Sequence, residues 1–266
     1  MIKIALEVAG LFLLASCAAM PPVSPDVRSD LAPTGKLRVG INYGNPILVQ
    51  KDQATGKPRG LIVDLSLELS RRLGVPVEFI FYEAAGKMTD ALKTGAWDVA
   101  FLAIDPKRAN EISFTAPHIE IEGMYLVPAG SGIRTIDDVD REGVRIAVGD
   151  KSAYELYLSR NLKHASLVKA GTFEDTIDIF LKNKLEVLAG VKQPVIEAAA
   201  KIPGSRVLEG RFMVIHQAAG VPKGRDAGLR YLSEFIEEAK ASGMVANSLK
   251  KSGITGVSVA PPAPLK

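Results

Sequence analysis

Residues 95–123 read GAWDVAFLAIDPKRANEISFTAPHIEIEG, and the fold turns on how this stretch is read. From Trp97 to Ile104 it is apolar apart from Asp98, and rich in residues that favour extended backbone. A short apolar run closed by a turn signal predicts a buried strand. The turn is Asp105-Pro106, and a proline there suits the first position of a short helix. Arg108 is therefore expected just past the C-terminal end of the strand. Open α/β sheets hold ligands at that end, and a guanidinium placed there can grip a carboxylate with paired hydrogen bonds. In an arbitrary sequence the same residue would be a surface arginine in a loop. Its neighbours tip the balance.

Working outward, Lys36 to Ile41 predicts a strand that leads into the turn-rich Asn42-Tyr43-Gly44-Asn45-Pro46. Thr55 to Pro58 reads as a hairpin-like turn. Leu61 to Leu73 carries Ile62, Leu65, Leu69 and Leu73 at helical spacing, and Gly74 ends it. Val75 to Phe81 is a second strand, and Met88 to Lys93 a short helix closed by Gly95. Strand-helix-strand-helix-strand predicts a parallel sheet with crossover helices. A strand over Met124 to Val127 then leaves this unit through Pro128-Ala129-Gly130.

The pattern then repeats. Thr135 and Asp138 have capping-box spacing, Val144 to Val148 is a strand, and Gly149-Asp150-Lys151-Ser152 is its turn. Ser152 and Glu155 start a helix to Asn161. Leu167 to Lys169 is a brief strand. Thr172 and Asp175 start a helix with Phe173, Ile177, Phe180 and Leu181 on one face. A strand over Leu185 to Ala189, a helix over Pro194 to Ala200, and strands at Arg206 to Leu208 and Met213 to Ile215 follow. Residues 213–221 return the chain to the first unit. Leu229, Leu232, Phe235 and Ile236 share the face of a helix expected to pack there, and Ala241 to Ser252 is a further helix.

The order of these motifs resembles the family 3 extracellular solute-binding proteins, the periplasmic amino-acid receptors of ABC importers. Phe101-Leu102-Ala103-Ile104-Asp105-Pro106-Lys107-Arg108 and Phe114-Thr115-Ala116-Pro117-His118 resemble the family's T-P-E-R and F-S-x-P-Y segments. The run from Gly60 to Leu65 resembles G-F-D-V-D-L, Leu73-Gly74-Val75 resembles R-L-G-V, and Val221-Pro222-Lys223-Gly224 resembles V-P-K-G. The resemblance spans about Lys36 to Gly253. It implies an α/β, two-lobed periplasmic-binding-protein type II fold, each lobe a mainly parallel sheet flanked by helices, with two crossover segments. Residues 35–126 with 219–256 would form lobe 1 and 127–218 the inserted lobe 2, closing around a ligand.

The resemblance also implies a binding site. Arg108 matches the arginine that holds the ligand's α-carboxylate. Ser152 matches a hydroxyl residue at a helix N-terminus, where partly positive N–H groups would share that task; capping the helix is its structural role in either case. Asn42, Tyr43 and Asn45 fall in the first-lobe loop where the family contacts ligand, although turn formation alone accounts for Asn and Gly there. Ala85 falls where the ligand's side chain is touched, and Phe101 and Ala103 replace small or hydroxyl residues. The chain also departs from the pattern. Val191 stands where an Asp would meet the ligand's ammonium, with Gln193 the nearest polar replacement, and Lys151 stands where the family has Gly. A buried ammonium without counter-charge is costly, so the expected ligand is a carboxylate that need not be a standard amino acid. Glu120 and Glu122 share a strand face and read as a solvated face rather than a substitute charge.

Composition narrows the remaining classes. With 266 residues, 47% hydrophobic and 24% charged, the chain can bury a core. A net charge of +3 without a dense basic block does not suit nucleic acid. A single cysteine, Cys17, excludes a disulfide framework, and His118, His164 and His216 have no metal-ligand spacing. No cofactor or metal is expected. Lys3 and the short apolar run Ala9 to Ala15 form an export signal. Leu14-Ala15-Ser16-Cys17 resembles a lipobox that would anchor a periplasmic lipoprotein through Cys17, the rival being cleavage near Ala18 or Ala19. Residues 1–34 are read as signal and tether, the latter semi-extended over Pro21 to Pro33, and 257–266 as a flexible tail. The expected protein is a monomeric receptor for a small carboxylate, partnered by an ABC permease and not an enzyme. The alternatives are a cyclohexadienyl-dehydratase-like enzyme and an accessory or sensory binding protein on the same fold.

Overall fold

The computed structural model describes residues 23–264, so Cys17 and the segment before it lie outside the described residues. In chain order the elements are α1 (Pro25–Leu31), β1 (Leu37–Asn42), β2 (Gln50–Lys51), β3 (Pro58–Arg59), α2 (Leu61–Leu73), β4 (Val77–Tyr82), α3 (Ala85–Asp90), β5 (Val99–Ala103), β6 (Ile112–Val127) and β7 (Arg145–Gly149). They continue with α4 (Ala153–Asn161), β8 (Ser166–Ala170), α5 (Phe173–Lys182), β9 (Val187–Val191), α6 (Lys192–Lys201), β10 (Arg206–Val207), β11 (Met213–Pro222), α7 (Asp226–Ala241), α8 (Met244–Lys251) and β12 (Ser258–Val259). Short 3₁₀ turns lie at Ala91–Thr94, Arg108–Asn110 and Ile136–Asp138.

The main sheet path is β4-β1-β5-β11-β6-β9-β7-β8. β1 is parallel to β4 and β5, and β7 is parallel to β8 and β9. Between these two parallel units lie the antiparallel strands β6 and β11, paired from Met213↔Gly123 to Pro222↔Ile112. The result is an α/β fold built from two mainly parallel units joined by two long strands.

Local chemistry explains the elements. All of β5 is buried, as its unbroken apolar sequence requires of a strand covered on both faces. α2 buries Leu61, Ile62, Leu65, Leu69 and Leu73 along one stripe, and Gly74 ends it at φ 66°, where a side chain would be disfavoured. Asp98, at the foot of β5, is completely buried. It accepts from Arg38 Nη2 (2.8 Å) and Arg225 Nη1 (2.9 Å), which ties the strand to β1 and to the start of α7.

Four expectations are corrected. The tether is not extended throughout: residues 25–31 form α1, capped by Ser24, with Val27 and Leu31 buried. The strands placed at Met124 to Val127 and Met213 to Ile215 are the ends of longer ones, β6 and β11. Pro117 interrupts the ladder because proline cannot donate to it. The break is absorbed by a register shift beside Ala218 and by Thr115 Oγ1, which accepts from Ala219 N–H (3.2 Å). Leu181 is exposed while Phe180 is buried, so the buried face of α5 is narrower than the spacing implied. The tail is strapped down: β12 pairs with β6, Ala260 N–H donates to His118 O (3.1 Å), and Lys240 Nζ donates to Pro261 O (2.8 Å).

Candidate ligand-binding cleft

The C-terminal ends of β1 and β5 face those of β7, β8 and β9 across a cavity of ≈ 70 Å³. Parallel strands followed by helices place helix N-termini on the same side. The starts of α4 (Ser152, Ala153), α5 (Thr172, Phe173) and α6 (Val191) all line this cavity. Their free N–H groups carry partial positive charge towards it.

Among the described residues, Arg108 is the buried charged group of the wall. It is 6% exposed. Nη1 donates to Ala103 O and Nη2 to Lys151 O, each at 3.0 Å. The second bond reaches from the first unit to the second. Among the described residues Nε has no partner and no carboxylate pairs with the guanidinium; nearby Asp105 bonds Arg160 at 2.7 Å. Burial pulls the Arg108 pKa down to about 10, with Asp105 opposing the shift. A buried cation without an ion pair is poorly compensated, and it faces the cavity.

The structure brings Asn42, Asn45, Ala85, Phe101, Ala103, Arg108 and Ser152 together at this cavity. Their roles differ. Asn42 Oδ1 accepts from Gly44 N–H (2.9 Å) and Asn45 Oδ1 from Ile47 N–H (3.3 Å), so both amide oxygens already serve the loop. Gly44 lies so close to Glu83 O that a Cβ there would sit 2.5 Å from it. Phe101 packs edge-on against His118 (5.7 Å between centroids) while also reaching the cavity. Ser152 Oγ accepts from Glu155 N–H (3.0 Å), the predicted cap.

Tyr43, Lys151 and Gln193 are not brought to the cavity. Tyr43 stacks on Phe81 (5.1 Å, 13°). The Lys151 ammonium bonds Asp90 at 2.6 Å, joining the β7–α4 turn to α3. Lys151 also has φ 53°, the left-handed conformation that favours the glycine expected at this position. Gln193 lies in the first turn of α6 and bonds Glu197. Glu122 is held by Lys192 (2.6 Å) and Arg211 (2.9 Å) away from the cavity, and Glu120 lies beside His216.

Other lining residues were not singled out from sequence. Tyr154 is buried, and burial raises its phenol pKa. Gln217 of β11 is 5% exposed, and its Oε1 has no partner. Its signal was a lone amide at an alternating position in the apolar run of residues 213–221. Asp150 and Glu83 also line the cavity, but their side chains are largely solvated, near Lys169 (3.9 Å) and bonded to Lys87 (2.5 Å) respectively.

A two-unit α/β protein with a cation-walled cleft belongs to the class that captures small solutes. The profile of the bacterial extracellular solute-binding proteins, family 3, matches residues 37–253, and the chain belongs to that family. Its fold is that of the type II periplasmic binding proteins. An arginine-binding protein mutant from T. maritima is 21% identical, with TM-score 0.72 over 85% of this chain and 99% of that one. The ancestral amino-acid-binding protein AncCDT-1, a precursor of cyclohexadienyl dehydratase, is 21% identical, with TM-score 0.68 over 82% and 94%. The substrate-binding protein of an amino acid ABC transporter is 19% identical, with TM-score 0.69 over 81% and 98%. No curated protein sequence matches the chain significantly.

Proposed function

We propose that this protein is the extracytoplasmic receptor of an ABC importer and captures a small carboxylate between its two units. The observation that carries the reading is Arg108, a buried guanidinium with an unpaired Nε and no ion-pair partner, facing a cavity ringed by three helix N-termini. A carboxylate there would supply the missing counter-charge and accept charge-assisted hydrogen bonds. Family membership and an ABC-transporter neighbour support delivery to a permease. In this reading residues 35–126 with 219–256 and residues 127–218 are lobes that close on the solute. The monomer is exported to the periplasm and anchored through a lipid on Cys17.

A thermal-shift screen of carboxylates tests the proposal. A ligand at one hundred times its dissociation constant adds about 2.7 kcal/mol of stability. Arg108→Met should abolish the shift; a shift that survives the substitution, or a screen with no hit, overturns the carboxylate reading. Turnover of the bound acid in the same samples would instead favour the enzymatic alternative that the dehydratase precursor raises.

A further inference from the structure

We propose that Gln217 is a specificity-determining residue of the cleft and that the solute is a short carboxylate bearing a neutral hydrogen-bond donor, of the 2-hydroxy acid class. The inference rests on the carboxylate reading of Arg108. Gln217 pairs with Ala103 across β11 and β5, and the same Ala103 offers its carbonyl to Arg108 Nη1 at 3.0 Å. Residues paired directly across strands point to the same face, and both Ala103 and Gln217 line the cavity. Gln217 and Arg108 therefore share the part of the cavity wall around Ala103.

Both atoms are unmet. Gln217 is 5% exposed and its Oε1 has no donor, while Arg108 Nε has no acceptor. Buried polar atoms in native proteins are overwhelmingly paired, so each orphan calls for a reason. One ligand satisfies both if it presents an anionic acceptor and, close to it, a donor.

The field decides which donor. The inner wall holds the Arg108 cation and the starts of α4, α5 and α6, and Val191 offers no charge. The lining carboxylates, Asp150 and Glu83, are 46% and 73% exposed and have lysines beside them. An ammonium at depth would meet like charge, whereas a hydroxyl would not. Size limits the rest. The enclosed space is ≈ 70 Å³, which favours a small acid over a long one. A 2-hydroxypropanoate is such a small acid.

Isothermal titration of the full chain with matched pairs tests this: glycolate against acetate, 2-hydroxypropanoate against propanoate, and alanine as the ammonium analogue. The wild type should bind each hydroxy acid about tenfold or more tightly than its deoxy partner, and more tightly than alanine. Gln217→Met, of similar length but without the amide, should erase that preference by weakening hydroxy-acid binding far more than propanoate binding. Equal affinity within the pairs, preference for alanine, or equal loss of both acids in Gln217→Met overturns the inference. Gln217→Leu serves if the first variant fails to fold, and the wild-type comparison requires no variant. If other carboxylates bind but these pairs do not, this inference falls alone; if no carboxylate binds, the reading of Arg108 falls too.

Discussion

At the N-terminal end of β5, Asp98 is completely buried and meets two arginines at 2.8 and 2.9 Å. At the C-terminal end, Arg108 is almost as deeply buried but meets only carbonyl oxygens, with Nε unpaired. Two buried charges thus flank one strand, one paired by its own chain and the other not. The difference separates architecture from function: a closed ion-pair cluster fixes a junction, while an open one is suited to an anion from outside.

Four substitutions probe this contrast, the largest effect first. Asp98→Asn leaves Arg38 and Arg225 without their counter-charge and should lower stability by about 3 kcal/mol, read from the denaturant midpoint. Arg108→Met should leave unliganded stability within about 1 kcal/mol of wild type, or raise it, because it removes a charge that lacked a partner. Equal destabilisation by the two would erase the distinction between the strand's ends.

His118 extends the contrast to a titrating group. It is fully buried on β6, neither ring nitrogen has a partner, and burial, reinforced by Lys240, pulls its pKa down to about 3. Between that value and the ordinary value near 6.5, the unfolded chain binds a proton that the folded chain refuses. His118 therefore contributes a loss of stability as pH falls from about 6.5 towards 3, at a slope of up to about 1.4 kcal/mol per pH unit. His118→Leu should flatten the dependence of melting temperature on pH in that window; an unchanged slope assigns it to other groups.

The most local effect is expected at Ser152. Ser152→Ala removes the cap of α4 and should cost about 1 kcal/mol, measured by chemical denaturation. Carboxylate affinity should fall less than in Arg108→Met, because the N–H groups of α4 remain.

Much of this was legible in local signals. Gly74, the Thr172–Asp175 box and the Ser152 cap each report on their own turn of helix, and each lies where the spacing predicted. The position of Arg108 followed from an apolar run ended by Asp105-Pro106. Lys151 shows how backbone and side chain can part company: the turn keeps the left-handed conformation of the expected glycine, while the side chain reaches across to Asp90. What local patterns missed depends on strands distant in sequence. β6 continues through Pro117 because Thr115 and β11 repair the ladder. Gln217 reaches the cavity only because β11 inserts between β5 and β6. The role of α1 depends on α7, to which Asp30 accepts from Gly228 N–H at 2.9 Å.

The strap formed by β12 has a mechanical consequence. At Ile119 and Glu120 the strand β6 is flanked by β11 on one edge and by β12 on the other. A two-stranded ribbon twists and bends easily. A third strand widens the beam where the chain passes between the two units, and α7 clamps its far end through Glu237 to Ala263 N–H (3.0 Å) and Lys240 to Pro261 O (2.8 Å). The carboxyl-terminal segment is therefore a third strand that braces β6 where the chain passes between the two units.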